Sequence, residues 1–334
     1  MKVDGLIRGV APVWQFAYVL VHLWWAVGGA PSFHNGQKSY FPGGWVPVVL
    51  GVVALAGCLA AAATARREVD RTGRYALAGL NAVAGAALCV YSFLFPIMLV
   101  ALVFEGPGPG IVASLLATGG GAVAGILCLR VAVEQRRLAV GSCESCGRVH
   151  GRSPESRRER APGWAFAGAY VAVAGFAIRI SVWLADTIAG RFQSEVSRSD
   201  VSWSAMVVFV ALMSLAGTVL PLALAHRWGR VWPGWVVPLR GRAVPRWLVL
   251  GPGLFVGAGL TVYFGIAGMT AWIRGDTGGP FLPLLLDMGG YTLWGTGLLV
   301  ACASYAALTR PPCRIVHGGY GDVPEGRDPV SRSG

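Results

Sequence analysis

The sequence predicts an all-α membrane protein with eight transmembrane helices. Of its 334 residues, 54% are hydrophobic and 13% are charged, whereas a soluble domain carries about 25% charged residues. The mean hydropathy is +0.57, and the apolar residues form runs of about 20, the length of a helix that crosses a bilayer. This composition excludes a soluble globular enzyme, a disordered regulator and a secreted disulfide scaffold.

Eight apolar runs are long enough to cross the bilayer. A chain in lipid must satisfy its own backbone hydrogen bonds, so each run is expected to be a helix. The alternating pattern of a transmembrane barrel is absent. Pro96 lies inside the third run and is expected to kink that helix. The predicted spans 1 to 8 are residues 10–30, 46–65, 75–104, 111–133, 162–188, 203–225, 247–272 and 282–308.

Basic residues are unevenly distributed between the two sides of the predicted membrane domain. The termini and the connections after spans 2, 4 and 6 contain 22 Lys and Arg residues, whereas the connections after spans 1, 3, 5 and 7 contain four. Because cytoplasmic loops carry the excess of Lys and Arg, we expect a multi-pass protein of the cell membrane with both termini cytoplasmic. The net charge of +12 therefore reflects topology, and we expect the lipid bilayer, and no nucleic acid, as a partner.

The two halves of the sequence resemble each other. Residues 11–17 and 161–167 both read Ala-Pro-x-Trp-x-Phe-Ala. Six residues of segment 74–91 recur 172 positions later in segment 246–263 without a gap. We interpret this as a duplication of four spans. Because four is an even number, both halves insert in the same orientation and are expected to form parallel repeats, with a site favoured at their interface.

The predicted domain boundaries follow from this duplication. The first repeat occupies residues 1–138 and the second occupies residues 161–309. Residues 139–160 are polar and charged, and we expect a flexible cytoplasmic linker there. Residues 310–334 are expected to form a disordered cytoplasmic tail.

Ionisable side chains are rare inside the predicted spans, and because they are costly there they are candidates for function. Arg179 of span 5 is the one guanidinium in this group, and we expect it to bind substrate. The candidate catalytic groups are His22 in span 1, Glu105 at the outer end of span 3, Asp186 in span 5 and Asp287 in span 8.

Polar and aromatic residues recur at positions i, i+4 and i+7 of spans 1, 5 and 8, so each set shares one helical face. In the orientation above, these faces lie in the outer half of the membrane, and we predict a single cavity there. The sets are Tyr18, His22 and Trp25; Arg179, Trp183 and Asp186; and Asp287, Tyr291 and Trp294. The predicted substrate-binding residues are Trp25, Tyr91, Arg179, Trp183, Tyr263, Tyr291 and Trp294.

Structural roles are the alternative for each of these ionisable residues. Arg179 and Asp186 suit a structural ion pair within one helix. Asp186 and Asp287 also lie close enough to the outer boundary to reach lipid headgroups. His22 is nearer the midplane, where a packing role competes with a functional one.

The predicted cavity suits a cyclisation that begins with a proton. A carboxylic acid in a dry site stays protonated at neutral pH and can protonate an alkene or an epoxide. Tyr and Trp faces stabilise the resulting carbocation, and exclusion of water prevents its early capture. We therefore predict a membrane terpene cyclase, an isomerase of terpenoid biosynthesis that acts on a lipophilic isoprenoid. The sequence has no paired-aspartate motif for a magnesium-bound diphosphate, which argues against diphosphate ionisation.

Two other functions fit the same features. A transporter or resistance permease for a small lipophilic molecule would use the repeat interface for alternating access. Against this, the spans lack the paired Gly or Pro interruptions that often mark a transport site. A non-catalytic membrane scaffold is the third alternative, and it would need no cavity.

The seven cysteines fall into two groups. Four lie inside apolar runs, where we expect small packing residues rather than a disulfide framework. The others lie in the predicted cytoplasmic segments, together with two histidines. The apolar group is Cys58, Cys89, Cys128 and Cys302. The cytoplasmic group is Cys143, Cys146 and His150 in the linker, and Cys313 and His317 in the tail.

The cytoplasmic group allows three interpretations. The favoured one is no specific role, because a single Cys-x-x-Cys is a common pattern. The second is a structural zinc that clamps the two halves, for which Cys143, Cys146 and Cys313, with His150 or His317, supply four ligands. The third is a redox pair formed by Cys143 and Cys146. We expect no other cofactor.

Residues 22–29 read His-Leu-Trp-Trp-Ala-Val-Gly-Gly. This stretch resembles the H-x-x-W-A-x-G-G signature of small four-span bacterial membrane proteins of unknown function, and the resemblance covers mainly span 1. It implies a four-span unit and no activity. In general character, the aromatic-rich, eight-span chain also resembles the integral membrane terpene cyclases of bacterial meroterpenoid and indole-terpenoid pathways.

Overall fold

The structure is a computed structural model, and its described part consists of eight segments separated by gaps. Within these segments the chain is helical, apart from turns and one isolated antiparallel bridge between Val231 and Ala243. Eight of the helical spans are long and apolar enough to cross a membrane. The chain is therefore an α-helical, multi-pass membrane protein. The described residues are 2–29, 31, 33, 44–64, 69–141, 160–190, 203–275 and 281–309.

Every predicted apolar run corresponds to one of these spans. Five spans are single helices and three are interrupted. The single helices are span 1, Lys2–Gly28; span 2, Trp45–Ala63; span 4, Pro109–Val140; span 5, Gly163–Ile188; and span 8, Phe281–Leu308. Span 3 consists of Arg71–Tyr91 and Phe95–Glu105. Span 6 consists of Trp203–Ser214, Leu215–Val219 and Leu220–Ala225, and span 7 of Arg246–Leu260, Thr261–Gly268 and Met269–Ile273.

Spans 3 and 7 are interrupted near the same depth. Span 3 breaks at residues 92–94, just before Pro96, whose ring and missing N–H do not continue the preceding helix. Span 7 widens into a π-helical segment over Thr261–Gly268. In the sequence register of the two halves, residues 92–94 correspond to residues 264–266. The irregularity therefore falls at corresponding positions, although the sequence showed no such pair.

Span 4 is longer than its apolar run. It continues to Val140, where Gly141 ends it with a left-handed φ of 66°, a conformation that glycine adopts without strain. The last two turns of span 4 lie beyond the apolar run and are helical. The predicted linker therefore begins inside this helix. The remainder of that linker to residue 159, and residues 310–334, lie outside the described residues.

The eight spans pack as two bundles with the same order of neighbours. In the first bundle, span 1 packs on span 2, span 2 on span 3, span 3 on span 4, and span 4 returns to span 1. Spans 5 to 8 repeat this ring. Each bundle has its own buried cluster, one centred on Leu88 and Cys128 and the other on Leu298 and Tyr305.

The bundles meet mainly through spans 3 and 7. Phe93 lies 5.8 Å from Tyr263 and Phe95 lies 6.4 Å from Phe255, measured between ring centres. Gly259 faces the ring of Pro96, so the two interrupted helices approach closely at this point. On the C-terminal side of its interruption, span 3 also contacts span 6.

Candidate functional site

Close packing of spans 5 and 8 positions the ionisable residues of the second bundle. Glycines line the contact, and a Cβ added at Gly175 would overlap the backbone of span 8. Added Cβ atoms at Gly168 and Gly297 would likewise meet the opposite helix at 2.7 and 2.5 Å. Small residues let transmembrane helices approach to this distance. As a result, side chains that lie about one turn from these glycines on spans 5 and 8 reach each other.

Arg179 of span 5 joins two groups of span 8. Its Nε donates a hydrogen bond of 2.7 Å to the hydroxyl of Tyr291 and lies 3.1 Å from Oδ1 of Asp287. The Nε of an arginine carries one hydrogen, and the Tyr291 hydroxyl takes it. Within the described part of the chain, Oδ1 of Asp287 accepts no hydrogen bond, so Arg179 attracts this oxygen by charge. The guanidinium carbon also lies 5.2 Å from the centre of the Tyr291 ring.

A second carboxyl belongs to the same charge set. Asp186 lies two turns beyond Arg179 and interacts electrostatically with both Arg179 and Asp287. Two carboxyl groups therefore lie within electrostatic reach of one guanidinium. The ion pair of Arg179 is with Asp287 on another helix, a partner that the spacing along span 5 did not reveal.

Arg179 and Tyr291 line a cavity of about 260 Å³ between the two bundles, whereas Asp186 and Asp287 are not among its lining residues. The volume is close to the lower end of ligand pockets, about 300 Å³. Spans 3, 5, 6 and 8 contribute its walls, which are mostly apolar and aromatic. The lining residues are Val100, Phe104, Arg179, Ile180, Trp183, Met206, Phe209, Val210, Met213, Ser214 and Tyr291.

A row of aromatic rings connects the cavity to the contact between the bundles. Tyr291 stacks on Phe264 with ring centres 3.9 Å apart, Phe264 lies 4.7 Å from Tyr263, and Tyr263 lies 5.8 Å from Phe93. Phe264 belongs to the π-helical segment of span 7. Segments of this kind are frequent at functional sites because they redirect side chains within a helix.

The structure places Trp294 in the core of the second bundle rather than on the cavity wall. Its side chain is 2% exposed, lies 5.0 Å from the ring of Phe176 and donates Nε1 to the carbonyl of Ala216. Ala216 lies in the π-helical segment of span 6, where the widened turn frees carbonyl groups. Trp294 therefore links span 8 to span 6.

His22 belongs to a separate aromatic row in the first bundle. Its ring lies 4.2 Å from Tyr18 and 4.9 Å from Trp25. Tyr91 interacts electrostatically with Tyr18 and so joins this row. His22, Trp25 and Tyr91 do not line the cavity described above. The predicted site residues thus fall into two groups rather than around one cavity.

The remaining predicted residues are Glu105 and the possible metal ligands of the linker and the tail. Glu105 is exposed and ends the second helix of span 3, next to Phe104 of the cavity wall. Cys143, Cys146, His150, Cys313 and His317 lie outside the described residues. Within the described part, no three His, Cys, Asp or Glu side chains are grouped so that they could hold a metal ion.

Sequence reasoning missed the phenylalanines of the site. Phe104 and Phe209 form a pair 5.4 Å apart on opposite cavity walls, and Phe264 stacks on Tyr291. Each lies in an apolar run, where a phenylalanine facing a cavity cannot be distinguished from one facing lipid. The interruptions of spans 3 and 7 would have been the useful signal, had Pro96 been compared with its counterpart in the other half.

No protein-family model, no curated protein and no solved structure matches this chain. The class of this protein therefore rests on its fold and cavity alone. It is a polytopic α-helical membrane protein of two packed four-helix bundles.

Proposed function

We propose that this chain is a membrane-embedded enzyme that cyclises a lipophilic isoprenoid after protonating it, without ionisation of a diphosphate. The observation that carries this proposal is the cavity between the bundles, which has aromatic faces around it and Arg179 on its wall, with Oδ1 of Asp287 3.1 Å from Nε of that arginine. A lipophilic substrate would reach such a site from the bilayer. Trp183, Tyr291 and Phe104 would then surround the carbocation.

One guanidinium near two carboxyl groups supports a proton donor in this site. When Arg179, Asp186 and Asp287 are all ionised, the set carries one net negative charge. In apolar surroundings one proton on the set removes that charge. The acidic proton belongs to this pair of carboxyl groups, of which Asp287 is ion-paired to Arg179. It passes to an alkene carbon or an epoxide oxygen of the substrate, and the carbocation later returns a proton as the product forms.

We further propose that the bundles are parallel repeats with both termini in the cytoplasm, in the cell membrane. The identical order of neighbours in the two bundles and the corresponding interruptions of spans 3 and 7 support the repeats. With this orientation, the lining residues of spans 3, 5, 6 and 8 all lie in the outer half of the membrane. The substrate would then enter from the outer leaflet.

Asp186→Asn and Asp287→Asn test the proposed acid in cells that are fed candidate prenylated substrates. Loss of a general acid lowers turnover by about 10²–10⁴-fold, so we expect at least one of these two substitutions to abolish detectable product while the protein still accumulates in the membrane. Asp70→Asn is the matched control, because Asp70 is an exposed helix cap and asparagine caps equally well. Full turnover in both site variants would overturn the proposal.

A transporter for a small lipophilic molecule is the second candidate, and one observation favours it. Interrupted helices at corresponding positions of two halves are a frequent feature of transport sites, and spans 3 and 7 have this arrangement. Uptake of a labelled lipophilic compound into proteoliposomes, abolished by Arg179→Met and unaccompanied by any chemical change, would favour transport over catalysis.

A further inference from the structure

The first bundle contains a polar cluster that the proposed function does not use. Each of its four spans contributes one buried side chain to this cluster: Gln15, Cys58, Asn81 and Cys128. All four side chains are at most 2% exposed. The sequence had indicated that the two cysteines are packing residues, but the structure places them in contact with each other.

The two thiols face each other directly. The Sγ atoms of Cys58 and Cys128 lie 3.7 Å apart. Closing a disulfide, with an S–S bond of about 2.05 Å, would need an approach of about 1.7 Å. Spans 2 and 4, which carry the two residues, are in direct contact.

The amide side chains orient the pair. Gln15 uses both of its Nε2 hydrogens, one on the carbonyl of Ala124 at 2.8 Å and one on Sγ of Cys128 at 3.1 Å. This hydrogen bond fixes the position of Sγ of Cys128 beside Cys58. The thiol of Cys58 donates instead to Oδ1 of Asn81 at 3.5 Å. Asn81 is oriented by its own hydrogen bonds to the carbonyls of Gly57 and Leu77.

An unused acceptor remains in the cluster. Oε1 of Gln15 is buried and has no hydrogen-bond partner among the described residues. A buried acceptor without a partner costs free energy. The hydrogen bonds donated by Nε2 of Gln15 therefore hold the amide in this position. The amide therefore has a cost that an apolar packing residue would not have.

The second bundle lacks this cluster. In the sequence register of the two halves, Ala165 stands in the place of Gln15, Gly253 in the place of Asn81 and Leu298 in the place of Cys128. These residues are buried in their own bundle. The same packing is thus achieved without polar groups, so the bundle architecture does not require the thiol pair.

We propose that Cys58 and Cys128 are a redox pair that a lipid-soluble quinone oxidises to a disulfide. Both S–H bonds break and one S–S bond forms, and the two protons and two electrons pass to the quinone, which becomes a hydroquinone. A disulfide is neutral and suits a dry interior, whereas a soft monovalent metal ion held by two thiolates would leave a negative charge there. Trp14, next to Gln15, is 39% exposed and donates Nε1 to Gly120 of span 4, so lipid-facing aromatic surface adjoins the cluster.

The full chain in nanodiscs provides the test, with Cys143, Cys146 and Cys313 replaced by serine so that four thiols remain. After treatment with a short-chain benzoquinone, the protein is denatured and alkylated with a maleimide. We expect two of the four thiols to lose reactivity, one hydroquinone to form per chain, and peptide mapping to find a Cys58–Cys128 cross-link. Dithiothreitol should restore both thiols.

Matched variants separate this pair from the other cysteines. Cys58→Ser should prevent the loss of reactivity, whereas Cys302→Ser, a buried cysteine of the second bundle, should leave the loss of two thiols unchanged. The mapping in the chain that retains Cys58 and Cys128 does not depend on how these variants fold. Four thiols that stay reactive, a quinone adduct on Cys89 alone, a cross-link between other cysteines, or a pair that retains a soft metal ion and forms no disulfide would overturn the proposal.

Discussion

The two bundles share one order of neighbours but differ in what lies at their centres. The first bundle has hydrogen-bonded polar side chains there, such as Gln15 and Asn81. Glycines bring backbones together in both bundles, Gly85 with Gly125 in the first and Gly175 with Gly290 in the second. Transmembrane helices have no hydrophobic force that drives them together, and both devices replace it. The comparison shows that one packing arrangement tolerates two interiors, and each interior leaves different groups for chemistry.

The glycine contact between spans 5 and 8 has a different consequence from that of the polar cluster. Because spans 5 and 8 approach closely, Arg179 reaches Tyr291 and Asp287 at the edge of a cavity. In the first bundle the polar groups are directed at each other instead, and the thiols lie at the centre. Variants that alter one interior and leave the other intact would show how far this difference extends.

The largest effect is expected from Gly175→Val, which breaks the contact between spans 5 and 8. A Cβ at this position overlaps the backbone of span 8, so the helices must separate. We expect the free energy of unfolding to fall by about 3 kcal/mol, the upper part of the range for overpacking, measured by denaturant unfolding in micelles. Gly251→Val is the control, because no atom lies within 4 Å of an added Cβ there. Equal losses in both variants would contradict the backbone contact.

A smaller effect is expected from Arg179→Met, which leaves Asp287 without its cation. The two side chains are 21% and 28% exposed, so the pair is not fully buried in the protein. We expect about 2 kcal/mol of destabilisation, below the 3–5 kcal/mol of a fully buried pair. Adding Asp287→Asn should recover part of it, and a double-mutant cycle measures the coupling. Strictly additive single effects would mean that the ion pair contributes nothing.

The smallest effect is expected from Asn81→Leu in the first bundle. The change removes two hydrogen bonds to backbone carbonyls, and such bonds contribute about 0.6 kcal/mol each in membrane helices. We therefore expect a loss of about 1 kcal/mol in the same unfolding assay. Val83→Leu, on the exposed side of the same helix, should change nothing. A loss as large as that of Gly175→Val would show that the first bundle depends on its polar cluster as strongly as the second depends on its glycines.

The eight spans could be predicted from the sequence because crossing a bilayer requires a local property, a run of about 20 apolar residues. The interruption of span 3 near Pro96 could be predicted for the same reason, since a proline acts on its own helix. The C-terminal extension of the span 4 helix was not predicted, because its last two turns lie beyond the apolar run. Local capping decides whether polar residues that follow an apolar run are helical.

The candidate site could be predicted only in part. Placing Asp287 and Tyr291 on one helical face was correct geometry for one helix, and Arg179 was recognised as a costly residue. Periodicity does not tell which helix lies opposite, so His22 was grouped with Arg179 although the two lie in different rows of side chains. The same limit hid the contact between Cys58 and Cys128, which are 70 residues apart.

The sequence by itself determined that this chain is a membrane protein, how many spans it has and which ionisable residues lie within those spans. Tertiary structure alone decided which of those residues meet. The physical reason is that hydropathy and helix periodicity are properties of one segment, whereas a contact depends on the rotation and separation of two helices. In this chain, small residues such as Gly175 set that separation at the point where span 5 faces span 8.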